Sequence, residues 1–389
     1  MTRFSGAIAM LLCLVATTAC DSQGSKSEAG HRDTSSLVIS QVRADRTAFD
    51  PARKESLTIR FHLDEPGDVA LAIYDGRDHR VYQGDANHMQ AGDHALTWVG
   101  VDDGGRPVPA EAYAYTLTAR NAHGETTHDL SDLTGGTSVV ARDVRWDAAA
   151  GVVRYTLDRP SRVNLRLGLQ AGPYLRTLID WVPRQAGPHE EHWDGRDASG
   201  VLSLAGNPAL TPVVRAYALP DNTVFVGAPT DRLQFVAEHD APVLRAQGES
   251  KGPVQVLDAM RQPLETRGDL VAFLDLDGRF PVDGEGRRVV SGMVPFVANV
   301  RDADRERVLQ RRFEAVFYVD GVFVHENELG YLPLTWVWDA SRVNPGEHYV
   351  TLNIRGYEGN FGTATRKVIV KPATSSPPVA GTSPEQEQP

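Results

Sequence analysis

The sequence predicts an all-β protein built from antiparallel sandwiches in tandem, and three observations predict it. Apolar and polar residues alternate over short runs separated by turn residues, the two-residue period of strands with one buried face. A block of six residues also recurs at a constant offset. Ala91, Gly92, His94, Trp98, Gly100 and Asp102 correspond to Ala186, Gly187, His189, Trp193, Gly195 and Asp197, each 95 positions on. That offset is the length of one sandwich able to bury its own core. Finally, the only cysteines are Cys13 and Cys20, so the remainder must be held by burial rather than by disulfides.

The 389 residues suffice for two to four domains. A 41% hydrophobic and 23% charged composition belongs to packed domains, not to a disordered chain. The net charge of -11 excludes nucleic acid as the main partner, because binding a phosphate backbone needs a dense Lys/Arg surface.

Residues 1–19 read as an export signal: Arg3, then an apolar run from Phe4 to Ala16, then Thr17-Thr18-Ala19 ahead of Cys20. The run is too short to span a bilayer. Small residues before a Cys resemble a bacterial lipobox, which implies lipidation of Cys20, palmitate included, and a membrane anchor in the cell envelope. An ordinary secretory signal cut near Ala19 is the other reading, and both place the protein outside the cytoplasm. Residues 20–36 are polar and Gly/Ser-bearing, and read as a flexible tether. Asp21 resembles a signal for retention in the inner membrane, and the leaflet stays open.

The first unit, 37–140, alternates from Leu37, again over Ser56–Leu63, and returns at Val69–Tyr74 after the turn at Asp64-Glu65-Pro66-Gly67. Its last strand is Ala112–Ala119. The second unit, 141–237, repeats the plan with strands at Val152–Leu157, Val163–Leu169 and Leu175–Val182. Pro212–Leu219 and Thr223–Val226 are expected to finish it.

Several positions then resemble the immunoglobulin-like domain first described in the flagellar hook-capping protein FlgD: Tyr74-Asp75-Gly76-Arg77, Ala91-Gly92, His94, Trp98, Gly100, Asp102, Gly105-Arg106-Pro107-Val108-Pro109 and Tyr113. Trp193-Asp194-Gly195-Arg196-Asp197 fits this pattern more closely than the first unit, where Val99 stands in place of Asp. The resemblance covers about Leu37–Val236. It implies tandem immunoglobulin-like β-sandwiches, and that domain type occurs as an accessory module on exported bacterial proteins.

The stretch 238–371 is expected to be a third immunoglobulin-like sandwich, with a hairpin over Phe313–Val324 turning at Asp320-Gly321. The charged run Arg301–Arg312 is read as a short helix or a solvated edge, with the loop favoured, and residues 372–389, rich in Pro, Ser and Thr, as a disordered tail.

Candidate chemistry is sparse. His189-Glu190-Glu191-His192 has zinc-like composition, but residues three apart on a strand point to opposite faces and cannot share one ion. Asp275, Asp277, Asp283 and Glu285 form an oxygen-rich segment that suits calcium, although Gly278 comes too early for an EF-hand. Trp336, Trp338 and Tyr331 are candidates for contact with a glycan or a partner; Trp98 and Trp193 read as core plugs. There is no serine elbow, phosphate loop, dinucleotide fingerprint or cysteine nucleophile, so no catalytic residues and no cofactor are assigned. The expectation is a non-catalytic envelope lipoprotein serving as scaffold, adhesion or protein-binding module, its protein partner contacted through the third domain. A glycan-binding accessory protein is the second reading, and a hydrolase using Asp/Glu residues of 238–371 the third.

Overall fold

The structure, a computed structural model, describes residues 37–76, 79–128, 136–227, 269–276, 278–310, 312–356 and 359–372. The leader, Cys20, the tether, Arg77, Asp277 and the tail 373–389 lie outside the described residues. Strands dominate the described chain, which folds around three large hydrophobic clusters and a small fourth one.

The first sandwich contains β1 (Ile39–Ala44), β2 (Ala48–Phe49), β3 (Leu57–Leu63), β4 (Gly67–Tyr74), β5 (Arg80–Met89), β6 (Gly92–Trp98), β7 (Glu111–Asn121) and β8 (Gly124–His128). In β3, Leu57, Ile59, Phe61 and Leu63 are buried and alternate with Thr58, Arg60 and His62, as the sequence pattern requires. The sheet β1-β3-β6 faces the sheet containing β7, β4 and β5 across a core that includes Leu71, Ile73, Trp98, Tyr113 and Leu117.

The second sandwich follows with β9 (Ser138–Val139), β10 (Arg142–Asp147), β11 (Val152–Leu157), β12 (Ser161–Leu169), β13 (Tyr174–Arg184), β14 (Gly187–His192) and β15 (Leu210–Ala218). Its sheets are β10-β11-β14 and β13-β12-β15-β9.

The next strand, β16 (Thr223–Val226), does not finish this sandwich, although the sequence repeat suggests it. It crosses back and inserts into the first one, between β2 and β7, with Val224 opposite Tyr113 and Phe225 opposite Ala48. The reason is apolar burial: Val224 and Val226 enter the first core, while Phe225 packs with Ala112 and Leu219. Asn222 fixes the crossing by donating its side-chain amide to Tyr115 O at 2.6 Å.

A buried ion pair lies at the same junction. Arg162 Nη1 of β12 donates to Glu111 Oε1 of β7 at 3.0 Å, with both side chains at most 5% exposed.

The third sandwich contains β17 (Ala272–Leu276), β18 (Arg288–Val290), β19 (Met293–Val300), α1 (Asp302–Leu309), β20 (Phe313–Val319), β21 (Val322–Asn327), β22 (Leu334–Asp339), β23 (Gly346–Gly356) and β24 (Phe361–Val370). The sheet β17-β19-β22 faces β18-β24-β23-β20-β21. The hairpin β20–β21 turns at Asp320 and Gly321, both with positive φ (53° and 82°), the geometry of a tight two-residue turn.

The charged run read as a loop is helical over Asp302–Leu309. Asp302 and Asp304 sit in its first turn, where the helix dipole favours carboxylates, and Val308 is its apolar anchor in the core. Asp304 is buried, accepts from Val271 N at 3.0 Å and meets Arg301 and Arg307, so one carboxylate ties the short helix to the sheet entrance.

The second and third sandwiches meet through side-chain-to-backbone bonds. Buried Asn353 on β23 accepts from Tyr174 N at 2.9 Å and donates to Tyr174 O at 2.7 Å. Thr363 also donates to Tyr174 O, and Thr365 N donates to Ser199 Oγ.

Candidate interaction site

The doubled Trp-Gly-Asp element is built the same way in both copies. Trp98 Nε1 donates to Val101 O at 2.8 Å, and Trp193 Nε1 donates to Arg196 O at 2.9 Å. The glycine between, Gly100 or Gly195, has φ near +75°. A Cβ on Gly100 would sit 2.4 Å from the Pro51 ring, and one on Gly195 would sit 2.8 Å from Ala205 Cβ. Asp102 Oδ1 accepts from the backbone N–H groups of Gly104 and Arg106, and Asp197 from those of Ser199, Val201 and Leu202. Burial alone would raise the Asp102 carboxyl, but the bonds from the Arg106 backbone and guanidinium outweigh it and hold it below the ordinary range. These carboxylates are spent on turns and are not aimed at a substrate.

The third sandwich carries both devices, in the opposite chain order. Asp283 Oδ1 accepts from the backbone N–H groups of Glu285 and Arg287, and Oδ2 from Arg287 Nε at 2.8 Å, as Asp102 does with Arg106. In all three turns the glycine three residues on (Gly105, Gly200, Gly286) has positive φ and donates back to the aspartate carbonyl. Likewise Gly92-x-His94, Gly187-x-His189 and Gly346-x-His348 each open a strand. Each histidine Nε2–H donates to the carbonyl four residues earlier, that of Gln90, Gln185 or Asn344. Sequence reading linked only two of these, because the third copy breaks the constant offset; an amide residue two positions before the Gly of Gly-x-His (Gln90, Gln185, Asn344) was the available signal.

This geometry accounts for the calcium candidates. Asp283 is a turn carboxylate, and Glu285 pairs with Arg287 at 2.9 Å. Asp275 meets Arg366 at 2.9 Å on a different strand. Asp277 lies outside the described residues, and among the described residues no group of three metal-ligating side chains is found.

In the His189–His192 stretch, strand alternation places Glu191 inward and His192 outward. Glu191 takes both an Arg184 fork (2.8 and 3.1 Å) and the Tyr155 hydroxyl (2.9 Å), while His189 stacks on Tyr155. Burial, then the Glu191 charge, pushes the Tyr155 phenol well up. The cluster is a satisfied interior network, not a metal centre.

The glycan candidates are corrected by burial. Trp336 and Trp338 are 9% and 5% exposed and belong to the third core, Trp336 stacking on Phe317 with ring centroids 4.5 Å apart. A sugar platform needs an open ring face, and these rings have none to offer. Tyr331 is exposed. The pattern Leu334, Trp336, Trp338 is simply the inward face of β22.

What the sequence missed is the outer edge of the third sandwich. Among the described residues β21 is last in its sheet, and Val322, Phe323 and Val324 are 66%, 52% and 41% exposed. Leu329 and Tyr331 are exposed in the segment that follows.

The fold is that of immunoglobulin-like sandwiches in tandem. Residues 47–123 match the model of the FlgD Ig-like domain, so the chain carries a domain of that type in its first sandwich. No curated protein matches the chain. Among solved structures, the chain is similar to FlgD from P. aeruginosa at 16% identity, covering 31% of this chain and 83% of that one, with a TM-score of 0.20. It is similar to a tetra-tandem repeat from the extending region of a large adhesion protein at 18% identity, covering 85% and 74%, with a TM-score of 0.19. A 1.5-MDa bacterial ice-binding adhesin is similar at 8% identity, covering 87% and 99%, with a TM-score of 0.18. The family match over 47–123, not these distant superpositions, ties the first sandwich to its family.

Proposed function

We propose that the chain is a non-catalytic scaffold of the bacterial cell envelope, anchored through lipid on Cys20. In this reading the third sandwich holds a protein partner by adding a strand to β21. The observation that carries it is the apolar edge Val322-Phe323-Val324, which pairs with no further strand among the described residues. Exposed apolar edge strands promote aggregation and are normally blunted by charge, proline or a bulge. A bulge at Val324 interrupts the pairing with β20, but the run Val322–Val324 carries no charge or proline, so it suits an extended peptide whose backbone completes the ladder. The other potential chemistry is consumed internally: the turn aspartates, the Glu191 network and the tryptophans all serve packing.

The test combines anchor and edge. In the full-length protein, Cys20→Ala should release the chain from membranes, and intact-mass analysis of the wild type should show an acylated N-terminal cysteine. A photo-crosslinker at Phe323 should trap one stoichiometric envelope protein, and Val322→Lys should abolish that adduct without lowering the melting temperature. Soluble wild-type protein, or an adduct indifferent to Val322→Lys, would sink the respective half.

A further inference from the structure

Between the second and third sandwiches lies a cavity of about 570 Å³, within the range of small-molecule sites. Its charge is one-sided. Arg166, Arg215 and Arg355 line it against a single carboxylate, Glu314, in a chain whose net charge is -11.

Arg166 on β12 is only 8% exposed. Its guanidinium lies 4.4 Å from the centre of the Phe361 ring and makes two long bonds, to Thr177 Oγ1 and Gly359 O, both 3.3 Å. No carboxylate is in ion-pair contact with it among the described residues; Asp269 and Asp180 attract it from farther away, and Arg215 repels it. A guanidinium this buried without a paired anion is costly.

Arg215 stands diagonally across from Arg166 on β15, is exposed, and has no hydrogen-bond or ion-pair partner among the described residues. From the third sandwich, Arg355 reaches Glu314 at 3.5 Å and the Tyr318 hydroxyl at 3.0 Å, while its buried Nε has no acceptor. Asn360 is 3% exposed, and its Oδ1 has no donor. Arg355 and Asn360, each with a buried polar atom that has no partner, thus line the same cavity as the unpaired guanidinium of Arg166, and buried polar groups are seldom left unmet.

We propose that this cavity binds a small hydroxylated carboxylate, its carboxylate held by the guanidiniums of Arg166 and Arg215 and its hydroxyl donating to Asn360. Arginine forks match carboxylates in geometry, and the amide oxygen of Asn360 asks for a donor that a bare oxyanion does not have. Because the ligand touches both sandwiches, its binding stabilises their junction by mass action.

Titration calorimetry of the full chain with citrate and with glucuronate, and inorganic phosphate as the comparison, tests this at constant ionic strength. Citrate or glucuronate should bind with millimolar or tighter affinity and raise the melting temperature. Arg215→Ala, at an exposed position, should keep the unliganded melting temperature and weaken binding by about tenfold or more, as expected for loss of one charged bond. Asn360→Asp should weaken it further by like charge. Absence of heat with both carboxylates, affinity unchanged in Arg215→Ala, or phosphate binding as tightly as they do would each overturn the proposal. None of these outcomes depends on the β21 edge, so the failure of one proposal leaves the other standing.

Discussion

The two junctions of this chain are made by different physics. The first and second sandwiches share a strand: β16 leaves the second and hydrogen-bonds along β7 of the first, beside the buried pair Arg162–Glu111. The second and third share no strand among the described residues, and meet through Asn353, Thr363 and Thr365 around a polar cavity. Separating the first pair means breaking a sheet and uncovering Val224 and Val226; loosening the second means losing a handful of polar bonds and the contacts of Phe361 with Tyr174 and Arg166. The first junction is a shared core, and the second is a joint that a ligand or a side-chain change can tune.

The largest test of that contrast lies at the ion pair. Arg162→Ala removes the Arg162 guanidinium from buried Glu111, and breaking a buried pair in this way typically costs about 3–5 kcal/mol. Urea unfolding should show the first and second sandwiches losing stability together while the third stays put. Arg162→Met combined with Glu111→Leu should recover most of the loss, since an apolar pair of similar volume carries no desolvation penalty. A loss confined to the second sandwich would mean that the strand exchange does not couple the two.

Asn353→Ala probes the other joint with a smaller expected effect. It leaves Tyr174 N and O short of their amide partner, about 1–3 kcal/mol of unsatisfied backbone, partly relieved by Thr363. Calorimetry should show the third transition moving down with the first two unchanged, because a multidomain chain need not unfold as one unit. A joint downward shift of all three would make the second junction as cooperative as the first.

The sequence is most legible where one face of a strand is buried. Leu57, Ile59, Phe61 and Leu63 announce β3, and the constant offset announces two sandwiches. It is least legible where chain order and space diverge. The alternation of Thr223–Val226 gives a strand but not its sheet, because a two-residue period encodes faces and not neighbours. The third sandwich repeats the Asp turn and the Gly-x-His corner in reverse order, so no fixed offset could reveal them. Trp336 and Trp338 carried a period that fits either an inward or an outward face. Charge misled at Asp302–Leu309, where the helix is held by two inward residues, Asp304 and Val308, too few to make a periodic stripe. The cavity residues come from β12, β13, β15, β20, β23 and the segment leading into β24, and only the fold brings them together.

The smallest effect separates the second and third sandwiches at a corner they share. His189 and His348 make the same bond, Nε2–H to the carbonyl four residues back, yet titrate in opposite directions. Burial, aided by the Arg184 charge, lowers His189 below 6.5 despite the pull of Gln185 and Glu191. For His348, burial acts the same way, but Asp320, bonded to Nδ1 at 2.6 Å, and the Asn344 carbonyl outweigh it and raise the group. The signs follow from linkage. His189 is neutral in the fold, so its contribution is present above the unfolded pKa and is lost as pH falls below about 6.5 towards the lowered folded value. His348 is the reverse: its contribution is complete below about 6.5 and is lost as pH rises through the raised folded value. Imidazole NMR titration should therefore place the two resonances on either side of the ordinary histidine range. Comparing the stability of His189→Phe and His348→Asn from about pH 5 to about pH 8 should give pH slopes of opposite sign relative to wild type. Equal slopes would mean that the Asp320 carboxylate, 43% exposed, is too well solvated to hold the His348 proton.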